Sequence, residues 1–312
     1  MVKTIAHLAD IHIRKLHRFV EYRKVFKQLY KQLRVVKPDL IYIGGDVVHG
    51  KLDTSPEEVR MVANFFLILC KIAPTIVIPG NHDCNLNNKS REDTLSPIFD
   101  LVKKINPHLH YWKKSGTYTY ENVDFGVMSI YDRDKGGNQL TIGLPDPTKF
   151  TNEHKVALFH GGVDKHEYDN NFVVRDEHVK LETFDGYDVV LLGDIHKRQF
   201  INKDETIGYC GSLVQQNHGE DIGKGYLLWD VPTRTSKYIE IYNGTGQDLD
   251  LSPYELWKIA NGGAWSEYTL ALSATVLAND VYVVCAATAD NIILAECDET
   301  WSSANFNGND AM

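Results

Sequence analysis

The sequence predicts an α/β domain over residues 1–237, followed by a small all-β segment over residues 238–312. In the first part, short β-branched and aliphatic runs alternate with amphipathic helical patterns, which is typical of a sheet flanked by helices. Several of these runs end in glycine beside Asp, Asn or His, at the place where open α/β sheets bind ligands. The last part has short alternating segments and turn signals at Asn261, Asn279 and Asn307, which favour antiparallel β-structure.

The first half of the chain contains three strand–helix pairs. The predicted strands span residues 3–9, 40–43 and 75–78, and the predicted helices span residues 21–36, 56–71 and 95–105. The helix at 56–71 has the clearest start, because Ser55, Pro56 and Glu58 match an N-cap, a first-turn proline and a capping box. The helix at 21–36 carries its apolar residues on one face and ends before Pro38.

The second half consists mainly of predicted strands. Residues 117–130 suggest two short strands with a turn near Asn122, and residues 132–148 predict a surface loop rich in Gly and Pro. Further strands are predicted at residues 156–159, 188–192 and 225–231, with a short one before Gly211.

The net charge of −9 is unevenly distributed along the chain. Residues 247–312 hold ten acidic residues and one basic residue, whereas residues 1–246 hold 32 of each sign. Residues 14–37 carry nine Lys or Arg against one acidic residue. This segment is either a solvated helix face or a surface that contacts phosphates.

The cysteine count and the chain's hydropathy bear on its compartment. The five cysteines form no CxxC pair, and their odd number argues against a disulfide framework. No apolar run approaches the length of a membrane span, and the N-terminus has no signal-peptide pattern. We therefore expect a cytoplasmic protein with no membrane partner.

Seven candidate metal ligands fall just beyond predicted strand ends. They are Asp10, His12, Asp46, Asn81, His160, Asp194 and His196. Taken singly, each is more often a cap, a turn residue or a hydrogen-bonded side chain. A parallel sheet would bring all of them to one edge, and their mixture of imidazole with oxygen donors suits Mn²⁺, Fe or Zn²⁺. A shared carboxylate would let two cations lie about 3.5–4 Å apart, as in two-metal phosphoryl chemistry.

Five segments together resemble the calcineurin-like metallophosphoesterase superfamily. They are Asp10-x-His12, Gly45-Asp46, Gly80-Asn81-His82-Asp83, His160 and Gly193-x-x-His196. The resemblance implies a four-layer α-β-β-α sandwich. Within the superfamily, His49, the basic first helix and Ile195-His196-Lys197 resemble nucleases of double-strand-break repair, such as the bacterial SbcD exonuclease and the phage recombination endonucleases.

This resemblance implies roles for individual residues. The first of two divalent cations would be held by Asp10, His12, Asp46 and His196, and the second by Asp46, Asn81, His160 and Asp194. Mn²⁺ is favoured, with Mg²⁺, Fe and Zn²⁺ as alternatives. His82 would stabilise charge on the scissile phosphate, Asp83 would orient His82, and His49 would lie near the DNA end. The repair nucleases usually carry His where this chain has Asp194, a harder, anionic donor that can still bind Mn²⁺.

DNA is the expected partner. The predicted phosphate contacts are Arg14, Lys15, Arg18, Lys197 and Arg198, which follow directly after the ligand segments. Repair nucleases of this type dock a coiled-coil, SMC-like ATPase through a C-terminal helical segment. Here a β-rich tail occupies that position, which argues against such a partner, and a homodimer is left open.

The tail resembles the lamin-tail domain, an immunoglobulin-like β-sandwich often found in extracellular proteins. The matching segments are 237–246, 249–256, 280–285 and 301–310. About 70 residues are short for a sandwich of about 100 residues, so the expectation is an incomplete sandwich, either truncated or joined artificially. No chemistry is assigned to it.

Three functions from different classes remain open. A metal-dependent DNA exonuclease or endonuclease in repair or recombination is favoured. A phosphatase or cyclic-nucleotide phosphodiesterase on the same scaffold is the first alternative. A non-catalytic binding protein that uses the β tail is the second.

Overall fold

The structure is a computed structural model, and the chain forms two compact units, Met1–Ser236 and Lys237–Met312. The described residues are 1–14, 18–51, 53–88, 90–132, 142–220, 223–236, 241–242, 248–258, 268–277, 281–287 and 297–304. Lys15 and the turn signals at Asn261, Asn279 and Asn307 lie outside them.

The first unit contains three α-helices and twelve strands among its described residues. In chain order they are β1 (Thr4–Leu8), α1 (Phe19–Val36), β2 (Leu40–Ile43), α2 (Pro56–Ile72), β3 (Thr75–Val77), α3 (Ser96–Ile105), β4 (Leu109–Tyr111), β5 (Gly116–Tyr120), β6 (Val123–Met128), β7 (His154–His160), β8 (Val189–Gly193), β9 (Gln199–Phe200), β10 (Ile207–Tyr209), β11 (Leu227–Asp230) and β12 (Thr235–Ser236). The six elements predicted for the first half are confirmed, with ends shifted by at most two residues.

The strands form two six-stranded sheets. The first has the order β12-β11-β1-β2-β3-β4, and the second has the order β5-β6-β7-β8-β10-β9. Strands β1 to β4 are mutually parallel, and so are β6, β7, β8 and β10. The antiparallel strands lie at the sheet edges. The carboxyl ends of β1, β2 and β3 therefore lie side by side, as do those of β7 and β8.

The three helices cover one face of the first sheet. The buried side of α1 is formed by Tyr22, Phe26, Leu29, Tyr30 and Leu33. Its Phe26 ring packs on Phe65 of α2 with centroids 4.4 Å apart. The predicted capping box is confirmed, since Ser55 Oγ accepts from Glu58 N at 3.1 Å and Glu58 Oε2 accepts from Ser55 N at 3.4 Å. Within the described part of the chain, no helix is both long and apolar enough to cross a bilayer.

A second core lies between the two sheets. It combines β1–β3 residues such as Ile5, Tyr42 and Ile76 with β6–β8 residues such as Phe125 and Leu158. Burying this apolar surface between the sheets provides the main force that holds them together.

His7 on β1 is a fully buried polar residue that links the sheets. Its Nε2–H donates to Leu192 O at 3.1 Å, and its Nδ1 accepts from Trp229 Nε1 at 3.3 Å. Both ring nitrogens are thus satisfied only when the imidazole is neutral. Burial lowers the pKa of His7 to about 3.

The outer face of the second sheet differs from the expected fourth layer. Among the described residues, that face is covered by a loop and a short 3₁₀-helix, Leu181–Phe184, and not by α-helices. Phe184 and Val179 pack there against Phe159 and Leu192. The segment between β7 and β8 is rich in charged and Asn residues, so it lacks the continuous apolar stripe that a covering helix needs.

The second unit contains only short strands among its described residues. They are β13 (Ile241–Tyr242), β14 (Leu249–Asp250), β15 (Glu255–Lys258), β16 (Tyr268–Ala271), β17 (Thr275–Val276), β18 (Val281–Tyr282), β19 (Val284–Ala286) and β20 (Glu299–Trp301). They pair two by two, antiparallel except for the parallel pair β19–β20. These pairs do not define two packed antiparallel sheets, so the immunoglobulin-like sandwich stays a prediction.

The odd number of cysteines argued against a disulfide framework, but the structure contains one disulfide. Cys285 and Cys297, twelve residues apart, form a disulfide in the second unit, while Cys70, Cys84 and Cys210 are buried and free. The odd number of cysteines in the whole chain did not predict this bond, because the three free cysteines belong to the first unit and the bonded pair to the second.

Candidate metal centre

The seven predicted ligands converge at one edge of the first unit. Asp10 and His12 follow β1, Asp46 follows β2 and Asn81 follows β3. His160 ends β7, and Asp194 and His196 follow β8. The two sheets therefore contribute four and three of these side chains, and the sheet edges bring them together as the parallel topology predicts.

Four of these residues have left-handed backbone conformations. Asp10, His12, Asp46 and Asp194 have φ values of 52°, 49°, 53° and 95°. Such values are uncommon for residues with a Cβ and cluster at functional sites. The loops hold one another in place, because Asp10 N donates to Gly45 O at 3.1 Å and His12 N donates to Asp46 O at 2.9 Å.

Glycines allow the loops to approach this closely. A Cβ on Gly80 would overlap both the Oδ1 atom and the backbone nitrogen of Asp46. A Cβ on Gly45, which has φ of 93°, would lie 2.6 Å from His160 Nδ1. The Gly-Asp and Gly-Asn pairs of the sequence are therefore needed for loop contact as well as for turning the chain.

The first group of donors surrounds His12. Its Nε2 lies 3.0 Å from His196 Nε2 and 3.5 Å from Asp46 Oδ2. Asp10, His12 and His196 offer ligand atoms that all lie within 4.8 Å of one another. This spacing is that of donors arranged around one cation.

The second group surrounds His160. Its Nε2 lies 3.1 Å from Asn81 Oδ1, 3.4 Å from Asp46 Oδ1 and 3.6 Å from Asp194 Oδ1. The Asn81 oxygen faces only acceptors, so either the amide is turned over to donate to Asp46 or a cation lies among these atoms. Asp46 belongs to both groups and is the shared carboxylate.

The outward nitrogens of two histidines fix which atom faces the cluster. His160 Nδ1–H donates to Gly44 O at 2.6 Å, and His196 Nδ1–H donates to Glu220 Oε1 at 2.8 Å. Each bond turns Nδ1 outward, so that Nε2 is the nitrogen near the other ligands. Metal-binding histidines are oriented in this way, so the side chains fit a divalent metal site.

The charges of the cluster are strongly coupled. Burial raises the pKa of Asp10 well above its usual value, and Asp46 and Asp194 add to the rise. Burial alone would raise the pKa of Asp46, but His160 and His12 outweigh it and lower this pKa below its usual range. Burial lowers the pKa of His12 to about 3. For His160, burial opposes protonation, yet Asp46 and Asp194 raise its pKa to about 10.

His82 and His49 lie beside the first group. Their rings stack with centroids 5.2 Å apart, and the His82 ring meets His12 edge-on at 4.8 Å. His82 Nδ1–H donates to His49 O at 2.8 Å, and His82 N donates to Asp46 Oδ1 at 2.7 Å. Burial, and then the nearby Arg14, lower the pKa of His49.

The expected role of Asp83 in orienting the His82 ring is not what the structure has. The Asp83 carboxylate accepts backbone N–H bonds from Val47 at 2.9 Å, Val48 at 3.1 Å and Gly80 at 2.8 Å. It therefore joins the β2 loop to the β3 loop, and the His49 carbonyl orients His82 instead. Burial, and then Asp46, raise the pKa of Asp83 to about 7.

The predicted phosphate contacts have different surroundings. Arg14 is bonded to the neutral Gln216 side chain, with Nη2 3.1 Å from Oε1. Arg18 pairs with Glu21, and Lys197 pairs with Glu167. Arg198 is exposed. Two of the four described cations are thus already matched by a carboxylate.

Glu220 is a residue of the site that the sequence reasoning missed. It is 6% exposed and bonds to His196 as given above. Burial would raise its pKa, but bonds from the Gln216 N–H, His196 and Lys224 lower it to about 2. Glu220 lies in a loop that has neither a helical nor a strand pattern in its sequence. The one sequence signal is that it is a charged residue within a stretch rich in Gly and Gln.

Two sheets with helices on one face and a mixed His, Asp and Asn cluster at their joint edge define a phosphoesterase class of metal site. The chain belongs to the calcineurin-like phosphoesterase family, whose profile matches residues 3–198. The family name describes hydrolysis of phosphoesters, which is the reaction class that membership implies.

Two similar proteins come from viruses. Uncharacterized protein R555 of Acanthamoeba polyphaga mimivirus is 43% identical over 250 residues, which cover 78% of this chain and 18% of that protein. Phosphoesterase 244L of Invertebrate iridescent virus 6 is 24% identical over 61% of this chain and 63% of its own length. The name of that protein is itself a provisional assignment. The chain thus spans less than two thirds of either relative. One crystal structure aligns over 76% of this chain and 98% of its own, but its TM-score of 0.45 and 9% identity support no conclusion.

Proposed function

We propose that the first unit is a metal-dependent nuclease that hydrolyses phosphodiester bonds of DNA with two divalent cations, Mn²⁺ being favoured. The observation that carries this proposal is the shared Asp46, whose two oxygens face His12 at 3.5 Å and His160 at 3.4 Å. One carboxylate between two donor groups is the arrangement of a two-metal site.

In this proposal the candidate ligands form two groups that share Asp46. Asp10, His12, Asp46 and His196 would hold one cation, and Asp46, Asn81, His160 and Asp194 would hold the other. When bound, the cations supply Lewis acidity toward the phosphoryl oxygens and lower the pKa of water. The Glu220 and Gly44 acceptors keep the ligand nitrogens of His196 and His160 turned inward.

His82 has the geometry of a residue that acts on the substrate. Its Nδ1–H is committed to His49 O, so Nε2 is the ring atom available to a phosphate. A ring protonated at Nε2 donates a hydrogen bond to a phosphoryl oxygen as negative charge develops there. The His49 ring, stacked on His82, restricts its rotation.

The surface of α1 supports a polyanionic substrate. Its N-terminal turn is fixed to the centre, because the Tyr22 hydroxyl donates to His12 O. Its exposed side carries Arg23, Lys24, Lys27, Lys31 and Arg34. An 18-residue helix is about 27 Å long, which matches about eight nucleotides at a spacing of about 3.4 Å per nucleotide of one strand. A small phosphoester would not reach these cations.

A phosphatase or cyclic-nucleotide phosphodiesterase is the second candidate. The observation in its favour is the pairing of Arg18 with Glu21 and of Lys197 with Glu167, which leaves less free positive charge at the rim of the centre. DNA as the partner and the choice of metal are parts of the proposal.

The test compares the full chain with its His82→Ala variant on end-labelled duplex and single-stranded DNA, with Mn²⁺ or Mg²⁺. His108→Ala is the matched control, because His108 is exposed and lies after α3, away from the ligands. Mn²⁺-dependent degradation that is lost in His82→Ala and kept in His108→Ala supports the nuclease.

Small substrates separate the two candidates. Bis(p-nitrophenyl) phosphate and p-nitrophenyl phosphate are assayed under the same conditions. Intact DNA together with rapid, metal-dependent hydrolysis of either small ester would refute the nuclease and favour the second candidate.

A further inference from the structure

Glu220 joins several parts of the first unit through one buried carboxylate. Five groups donate to it: His196 Nδ1 at 2.8 Å, Asn217 Nδ2 at 3.0 Å, Gln216 N at 2.9 Å, Ser212 Oγ at 3.3 Å and Lys224 Nζ at 3.0 Å. Every contact is a donor, so the side chain suits a carboxylate and not an amide. Residue 220 lies outside the segment that matches the family profile, 3–198.

Two of these contacts bear on His196. Glu220 Oε1 accepts from the ring Nδ1, and Lys224 Nζ donates both to Glu220 Oε2 and to the His196 backbone O at 3.0 Å. The ring and the main chain of His196 are thus held from the same side. Rotation of the ring would break a charge-assisted hydrogen bond in a buried place.

The same carboxylate also helps to position the Arg14 side chain. Glu220 Oε2 accepts from the backbone of Gln216, whose side-chain oxygen accepts from Arg14 Nε at 3.2 Å and Nη2 at 3.1 Å. The charge of Arg14 in turn contributes to lowering the pKa of His49, after burial. One residue from the loop after β10 therefore contacts His196 directly and reaches Arg14 through Gln216.

We propose that Glu220 is a positioning residue of the metal centre, which fixes the tautomer and ring orientation of His196 so that Nε2 faces the cation. The inference rests on the proposed metal role of His196. Hydrogen-bond partners of this kind change metal affinity by about 10- to 100-fold when removed. A carboxylate that stabilised only its own loop would change stability and leave the affinity alone.

The experiment measures Mn²⁺ binding by titration calorimetry in the full chain and in Glu220→Gln. In the variant, an amide NH₂ replaces one acceptor among five donors, and the bond to His196 loses its charge. We expect Mn²⁺ affinity to fall about tenfold or more.

Asp124→Asn is the matched control. Asp124 is also a buried carboxylate with several donors, from Thr119, Thr151 and Asn152, but it lies on β6 away from the ligands. This variant is expected to lose thermal stability in the presence of a chelator and to keep the wild-type Mn²⁺ affinity.

The outcomes distinguish the two proposals. Wild-type affinity in Glu220→Gln, with lowered stability as in the control, would overturn the positioning role. Absence of Mn²⁺ binding by the wild type would instead overturn the metal centre itself. Should Glu220→Gln not fold, Glu220→Asp keeps the charge but shortens the reach to His196, and it must also bind Mn²⁺ more weakly for the inference to stand.

Discussion

The buried His7 ring makes stability depend on pH in a way that can be calculated. Its folded pKa of about 3 lies below the value of 6.5 for an exposed histidine. The unfolded chain therefore binds a proton more readily than the folded chain. The stabilisation is fully present above pH 6.5 and is lost as the pH falls toward 3.

The size of the effect follows from the two pKa values. At pH 5 the pH lies about 1.5 units below the pKa of His7 in the unfolded chain. Protonation therefore stabilises the unfolded state relative to the folded state by about 2 kcal/mol, at 1.36 kcal/mol per pH unit. The perturbation is His7→Gln, in which the amide NH₂ can donate to Leu192 O and the amide oxygen can accept from Trp229. Glutamine does not titrate, so this component disappears.

The assay is urea unfolding at pH 8 and pH 5 in a chelator, followed by circular dichroism. The drop in unfolding free energy between the two pH values is expected to be about 2 kcal/mol larger for the wild type than for His7→Gln. His12 also has a depressed pKa, but it is present in both proteins and cancels in the comparison. Equal pH dependence in the two proteins would refute the argument that His7 is held neutral.

Three further variants test other parts of the structure. Gly80→Ala drives a Cβ into Asp46 Oδ1, so we expect Mn²⁺ binding to be lost in calorimetry; wild-type binding would contradict the close approach of the loops. Ser55→Ala removes the α2 cap and is expected to cost about 1 kcal/mol in urea unfolding. The double variant Lys27→Glu/Lys31→Glu is expected to weaken DNA binding and reduce its log–log salt slope by about 0.9 per lost phosphate contact, while cleavage of small esters is unchanged; an unaltered slope would remove α1 from the DNA surface.

The local sequence was sufficient to predict the strands β1, β2, β3, β7 and β8, which precede the candidate ligands. Buried runs such as Leu40–Ile43 are unambiguous, and each parallel strand must deliver its last residues to the same edge. That is why the sequence alone predicts that Asp46 and His160 lie together. The helix starting at Pro56 was predictable because its capping residues are adjacent in sequence.

Contacts between distant segments could not be predicted in this way. Asp83 satisfies backbone N–H groups that belong to another loop, and Glu220 meets His196 across 24 residues. The pairing of Lys197 with Glu167 depends on how one loop folds back on the next. Such partners have no period and no fixed spacing, so sequence patterns carry little information about them.

The origin of the ligands in two different sheets has a mechanical consequence. Asp46 comes from the first sheet and His160 from the second, and apolar packing and hydrogen bonds such as His7 to Leu192 set the distance between those sheets. A slide of one sheet over the other by about an ångström would pull the two donor groups out of alignment. The apolar interior between the sheets thus sets the distance between the two donor groups. Substitutions there are expected to alter cation affinity even though they change no ligand.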